Sequence, residues 1–214
     1  MNRATKPFTS SMTDAPEYLS KNRYVSYHNQ VRLLFSLGKQ VRSVLEIGIF
    51  NSLFTEVLKK NHYLVTTADI DPGLNPDLVI DISEDITLEH NTYDVICLFQ
   101  VLEHIPYDKA ELALQKLARS TKQHLLISIP YNATHLAMRF KVSFIQKERY
   151  LFSSIPRFWS RQTLTKEQHY WEMGMRGYPK KRILASFTKT GLTVQHEFVD
   201  HDNPYHYFFI LKKK

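Results

Sequence analysis

The chain has 214 residues, 43% of them hydrophobic and 23% charged, which suits one domain with a full-sized core and excludes a disordered polymer. Its formal net charge is +7, and the bias is local: Tyr131 to Arg182 carries 11 Lys and Arg against 3 Asp and Glu, leaving the remainder close to neutral. That stretch reads either as a solvated face or as a surface for an anionic partner.

Residues 1–15 are polar and lack the apolar segment of a signal peptide. Residues 16–37 have a helical pattern that stops at Gly38, with Tyr24, Tyr27, Val31 and Leu34 spaced as core contacts. Residues 1–40 therefore read as an N-terminal helical extension or lid, ahead of a main domain at 41–214. Next come a strand (Val41 to Ile47), a helix (Asn51 to Lys60, with Phe54, Val57 and Leu58 on one face) and strands at Leu64–Ile70 and Leu78–Ile82. Tyr93–Gln100 is a nearly continuous apolar strand, as expected for one buried on both faces. Cys97, the single cysteine, sits inside it and reads as a buried thiol. A helix at Lys109–Ser120 and a strand at His124–Ile129, stopped by Pro130, complete the alternation. Strands alternating with helices predict a doubly wound α/β sheet with its ligand site at the carboxyl ends of the strands.

The pattern breaks at 131–178, a basic, aromatic insertion with helices expected near 133–152 and 165–173. His135–Phe152 mixes apolar and basic residues, as a lid or a membrane-surface helix does. A helix at 179–190, ended by Gly191, and strands at Thr193–Val199 and Tyr205–Lys212 follow. No apolar run reaches the length of a membrane span, so the reading is a soluble or peripheral, cytoplasmic protein.

Four motifs stand at predicted strand ends. In Val44-Leu45-Glu46-Ile47-Gly48-Ile49-Phe50-Asn51-Ser52, Gly48 lets backbone N–H groups approach a ligand. Glu46, in a largely apolar strand, needs a partner such as a ligand ammonium. Asp69, in Thr66-Thr67-Ala68-Asp69-Ile70-Asp71-Pro72, is placed to accept from both hydroxyls of a ribose. Asp81, in Val79-Ile80-Asp81-Ile82, suits an adenine amino group with Ile82 against the ring. Phe99-Gln100-Val101-Leu102-Glu103-His104-Ile105-Pro106 sets a Glu-His pair just past the most buried strand, where it would face a substrate.

Together these motifs resemble the class I S-adenosylmethionine-dependent methyltransferases over about residues 41–130, with the closing helix and strands following. HYWEMGMRGYP (His169–Pro179) and NPYHYFFILKK (Asn203–Lys213) are similar to the C-terminal part of uncharacterised bacterial members. The resemblance implies a Rossmann-like seven-stranded sheet, mostly parallel with an antiparallel C-terminal strand, and S-adenosylmethionine as cofactor. Glu46 and Gly48 would contact its methionine part, Asp69 its ribose, and Asp81 with Ile82 its adenine. Gln100 would line the pocket, and Phe50 and Ile70 belong to the same set. Members usually carry glycine at the positions of Phe50 and Ser52, so a phenyl group at 50 would crowd the methionine tail or turn aside. A nicotinamide fingerprint is a poorer match, because its glycine register falls on Gly48, Phe50 and Leu53.

His104 is the candidate general base, with a capping or packing role as the alternative. Glu103, His169, Tyr170, Trp171 and His206 form the candidate acceptor wall, or else an aromatic core with satisfied histidines. No metal is expected, since His169 with His206 lacks a ligand spacing such as HExxH. The acceptor reads as a small molecule or glycan, with phosphate or carboxylate suggested by the basic insertion. RNA, with no visible RNA-binding module, and a non-catalytic scaffold retaining the fold are the competing readings.

Overall fold

The computed structural model describes residues 20–84, 87–141, 144, 149–161 and 169–214. Helix α1 (Lys21–Ser36) leads into β1 (Ser43–Ile47), α2 (Leu53–Lys60), β2 (Leu64–Asp69), β3 (Leu78–Val79) and β4 (Tyr93–Phe99). Then come α3 (Tyr107–Ser120), β5 (Thr121–Pro130), β6 (Ala133–Phe140), β7 (Arg149–Pro156), α4 (Lys180–Lys189), β8 (Leu192–Val199) and β9 (His206–Lys213). Seven strands form one sheet in the order β3-β2-β1-β4-β5-β9-β8. Strands β1 to β5 run parallel, and β9 is antiparallel to both of its neighbours. The doubly wound, mostly parallel sheet expected from the alternation is therefore present. The order reverses between β1 and β4, and a crevice opens there above the carboxyl ends.

Alternate strand residues build two cores because side chains alternate across a sheet. Leu45, Ile96, Leu98, Leu125, Ile127 and Phe209 pack on one face with Leu114, Leu117, Ile183 and Phe187 from α3 and α4. Val44, Val95, Cys97, Leu126, Phe208 and Ile210 pack on the other with Leu33 and Leu34 of α1 and Phe54 and Leu58 of α2. Cys97 is sealed in this second layer, and burial pushes its thiol pKa up, as an inert thiol requires.

Two expectations fail. The helix expected across 133–152 is the antiparallel hairpin β6–β7. Leu136 and Phe140, four apart, share a face in a helix and in a strand alike; Met138 between them is the period-two signal that decides. The second helix, 165–173, is absent over its described part: Met173 lies in an extended bridge to Tyr131, and 165–168 lie outside the described residues. In α1 the buried face is also unlike the expected one. Leu34 is buried, but Tyr24 is 52% exposed, and Ser26, Asn29 and Gln30 take the inner positions.

Candidate active site

A cavity of about 350 Å³ lies over the carboxyl ends of β1, β2 and β4, roofed by the N-terminal half of α1. Glu46, Gly48, Phe50, Asp69, Ile70, Asp81, Ile82 and Gln100 all line it, as do His104, His169 and His206. Sequence reasoning missed Arg23, Ser26, Tyr27 and Gln30 of α1, whose polar inner face carries no hydrophobic periodicity. Glu103, Tyr170 and Trp171 do not line the cavity. Trp171 belongs to the core: its indole N–H donates to the Ile105 carbonyl at 3.1 Å and its ring meets Tyr107 edge-on. Tyr170 donates its backbone N–H to Glu103 O at 2.8 Å and packs half-buried on the same core.

The β1–α2 turn explains the glycine motif. Gly48 has φ +83°, and a Cβ there would stand 2.4 Å from Val101 Cγ2, so both backbone and space demand glycine. Phe50 and Ser52 hold φ values of 43° and 59°, so this turn keeps a left-handed backbone even where glycine is replaced. Phe50 lines the cavity.

Three carboxylates stand at successive strand ends. Glu46 is buried beside Thr55, whose hydroxyl donates to it; burial pushes its pKa up to about 8 against that hydrogen bond. Asp69 accepts from Ile49 N and Asp71 N, both at 3.0 Å, which fixes the β1 turn to the β2 end. Asp81 accepts from Ser83 N at 2.8 Å. A carboxylate has about four acceptor sites, so these local bonds leave capacity for a ligand. Between Asp69 and Asp81 the wall is apolar, from Ile70, Leu74, Ile80 and Ile82.

Imidazoles gather at the other end. His104 ends the 3-10 turn Leu102–His104 after β4 and meets His169 edge-to-face at 4.8 Å. Burial, with His169 adding to it, lowers the His104 pKa to about 4. His206 bonds Ser26 Oγ through Nδ1 at 2.7 Å, and burial lowers its pKa to about 3. Both rings are neutral at physiological pH. His169 Nδ1 donates to Glu172 Oε1 at 2.9 Å. Burial would raise the Glu172 pKa, but hydrogen bonds from His169, Asn132 and Tyr205 outweigh it and hold the carboxylate ionised. Among the described residues, no Lys or Arg of the basic insertion lines this cavity, although His169 does; the one Lys or Arg on its wall is Arg23, from α1.

A sheet in this order, with acidic residues closing β1 and β2 and following β3, is the architecture of S-adenosylmethionine-dependent methyltransferases. A family model described as a methyltransferase domain matches residues 18–196, and the chain belongs to that family. Among curated proteins none matches the chain in sequence. Among solved structures, the chain resembles magnesium protoporphyrin IX methyltransferase from Synechocystis PCC 6803 with bound S-adenosylmethionine (12% identity, 90% of this chain and 80% of that one, TM-score 0.59). It also resembles the PH0226 protein from Pyrococcus horikoshii OT3 (14% identity, 97% and 100% covered, TM-score 0.61). A third likeness is to the sugar N-methyltransferase KedS8 from Streptoalloteichus sp ATCC 53650 (11% identity, 100% and 98% covered, TM-score 0.60). The protein is an enzyme of this class, with S-adenosylmethionine as cofactor.

Proposed function

We propose that the enzyme methylates a small-molecule or glycan-like acceptor held between the cofactor end of the cavity and His104, His169 and His206. The carrying observation is one continuous cavity, with carboxylates from three strand ends along one part and imidazoles along another. Neighbours of the same fold include a porphyrin and a sugar methyltransferase, which agrees with a small acceptor.

On this reading Glu46 receives the cofactor's ammonium, Asp69 its ribose hydroxyls, and Asp81 with Ile82 its adenine, while Gln100 and Phe50 bound the methionine tail. The cofactor supplies a methyl group on a sulfonium, a good leaving group. The remaining work of the protein is alignment and exclusion of water. His104, neutral on the cavity wall, faces the acceptor and helps to position it. A pKa of about 4 makes it a weak proton acceptor, so orientation rather than general-base catalysis is its role. An acceptor with a phosphate or carboxylate would meet Arg23. Residues 20–40 act as the lid.

The basic stretch has another use. One face of the β6–β7 hairpin presents Leu136, Met138, Phe140, Leu151 and Ile155, each between 44% and 58% exposed. Residues 131–161 carry six Lys and Arg against one acid. An apolar face on a hairpin of net positive sequence charge fits the surface of an anionic phospholipid bilayer. No described helix is long and apolar enough to cross a membrane, so the contact would be peripheral.

The cofactor assignment is tested by calorimetric titration of S-adenosylmethionine into wild type and Asp69→Ala. Binding to wild type that weakens at least about tenfold in the variant is expected, from loss of a charge-assisted pair of hydrogen bonds. Equal affinity in both would remove Asp69 from the site.

A further inference from the structure

Glu103, His104 and His169 each offer one ligand-type atom, and these three atoms all lie within 4.8 Å of one another. We propose that they form a divalent-metal site at the acceptor end of the cavity. The inference rests on the reading that this end receives the acceptor, and it adds a cation to it. Two imidazoles and a carboxylate suit first-row transition ions, from Mn2+ through Zn2+.

The surroundings are built as those of metal ligands are. A ligating histidine commonly donates its other ring nitrogen to a carboxylate, which fixes the tautomer and aims the coordinating nitrogen. His169 does this through Nδ1 to Glu172 Oε1 at 2.9 Å, so coordination falls to Nε2. Glu172 is itself fixed by Asn132 Nδ2 at 2.7 Å and by the Tyr205 hydroxyl at 2.9 Å. On the other side, Gln100 oriented to accept from Ile129 N at 3.2 Å donates to Glu103 Oε1 at 3.3 Å.

The backbone makes the triad rigid. Glu103 and His104 share the short turn after β4, and the Tyr170 N–H to Glu103 O bond ties the His169 segment to it. Glu103 is fully buried, whereas His104 and His169 border the cavity. Three protein ligands with one open side are the arrangement that receives substrate atoms. The acceptor class follows: a hydroxyl beside a second oxygen, as in a vicinal diol or hydroxycarbonyl compound, able to fill two open positions. Adjacent ligands on a 3-10 turn, completed far along the chain, have no HExxH-like spacing, which is why the sequence reading gave no metal.

The test is titration of untagged, chelator-treated full-length protein with Co2+, followed by visible absorption, and with Zn2+ by calorimetry. One equivalent should bind, with a Co2+ spectrum of nitrogen and oxygen ligation. His169→Ala and His104→Ala should each lower affinity at least about 100-fold, and Glu172→Gln about 10- to 100-fold with the three ligands retained. His104→Ala serves where the buried Glu103→Gln fails to fold. Absence of stoichiometric binding by folded wild type, or binding unchanged by His169→Ala, overturns the site. S-adenosylmethionine is titrated into the same samples: its binding without any metal binding overturns this inference alone, and failure of cofactor binding overturns the reading beneath it.

Discussion

On the proposed reading, Glu46 couples the fold to the cofactor through a single proton. Its carboxyl is held up near pH 8 by burial, while in an unfolded chain it would titrate near its ordinary value of 4.5. Between those limits the unfolded state releases the proton and the folded state keeps it. Apoprotein stability therefore falls as pH rises from about 4.5 to about 8, at up to about 1.4 kcal/mol per pH unit, and levels off above. A bound ammonium reverses the preference by favouring the carboxylate. At pH 7, cofactor binding should release close to one proton, measured as a difference in calorimetric heat between buffers of unlike ionisation enthalpy. Glu46→Gln should abolish the release, weaken binding and flatten the pH dependence of stability. Equal release from the variant would mean that another group meets the ammonium. The cavity-lining carboxylates were legible in sequence because they stand at or just beyond the ends of parallel strands, where an α/β sheet opens its ligand crevice. The α1 residues were not: Ser26 and Gln30 face the cavity as polar groups, while the apolar spacing pointed to Tyr24, which faces water.

At the level of elements, β1, β4 and β5 were legible because parallel strands buried on two faces are apolar runs, and β2 and β3 because Asp69 and Asp81 mark their ends. The insertion was not, because its apolar residues satisfy two periods at once. Its β6–β7 register now sorts the residues: Tyr150 and Phe152 turn inward onto His201 at 5.1 and 4.9 Å, and Leu136, Met138, Phe140, Leu151 and Ile155 turn outward. A two-stranded ribbon is marginally stable alone, and a contiguous exposed apolar face of this kind suits a contact with another surface. Each cation near an anionic bilayer contributes about 1 kcal/mol. The protein should thus co-sediment with vesicles containing phosphatidylglycerol, weakly or not at all with pure phosphatidylcholine, and less as salt rises. Leu136→Glu with Leu151→Glu should lower that binding at least about tenfold while leaving cofactor affinity unchanged. Indifference to lipid charge would sink the idea, and a concentration-dependent dimer abolished by the same changes would assign the face to a second copy.

For the whole molecule, the decisive feature is how α1 joins the sheet. Its C-terminal half is anchored by Leu33 and Leu34 against Phe54, Leu58 and Phe208 in the second core. Its N-terminal half is held across the cavity by polar bonds: Ser26 Oγ to His206 Nδ1 at 2.7 Å, Asn29 Nδ2 to Asp200 Oδ2 at 2.7 Å, and Asn203 Nδ2 to the Asn22 carbonyl at 2.9 Å. Hydrogen bonds of this kind contribute about 1 kcal/mol each, whereas each buried leucine contributes about 2 kcal/mol or more. The two halves therefore differ in opening free energy, and the weaker one carries the cavity residues Arg23, Ser26, Tyr27 and Gln30. A ligand that touches those groups stabilises the closed arrangement by mass action. Amide hydrogen exchange should show Arg23 to Gln30 exchanging faster than Leu33 to Ser36 without ligand, and gaining protection when S-adenosylmethionine binds. Ser26→Ala should speed exchange in the N-terminal half alone. If protection appears at the Gly48 and Asp69 turns but not in α1, then α1 is a fixed wall, and the acceptor must enter from the hairpin side.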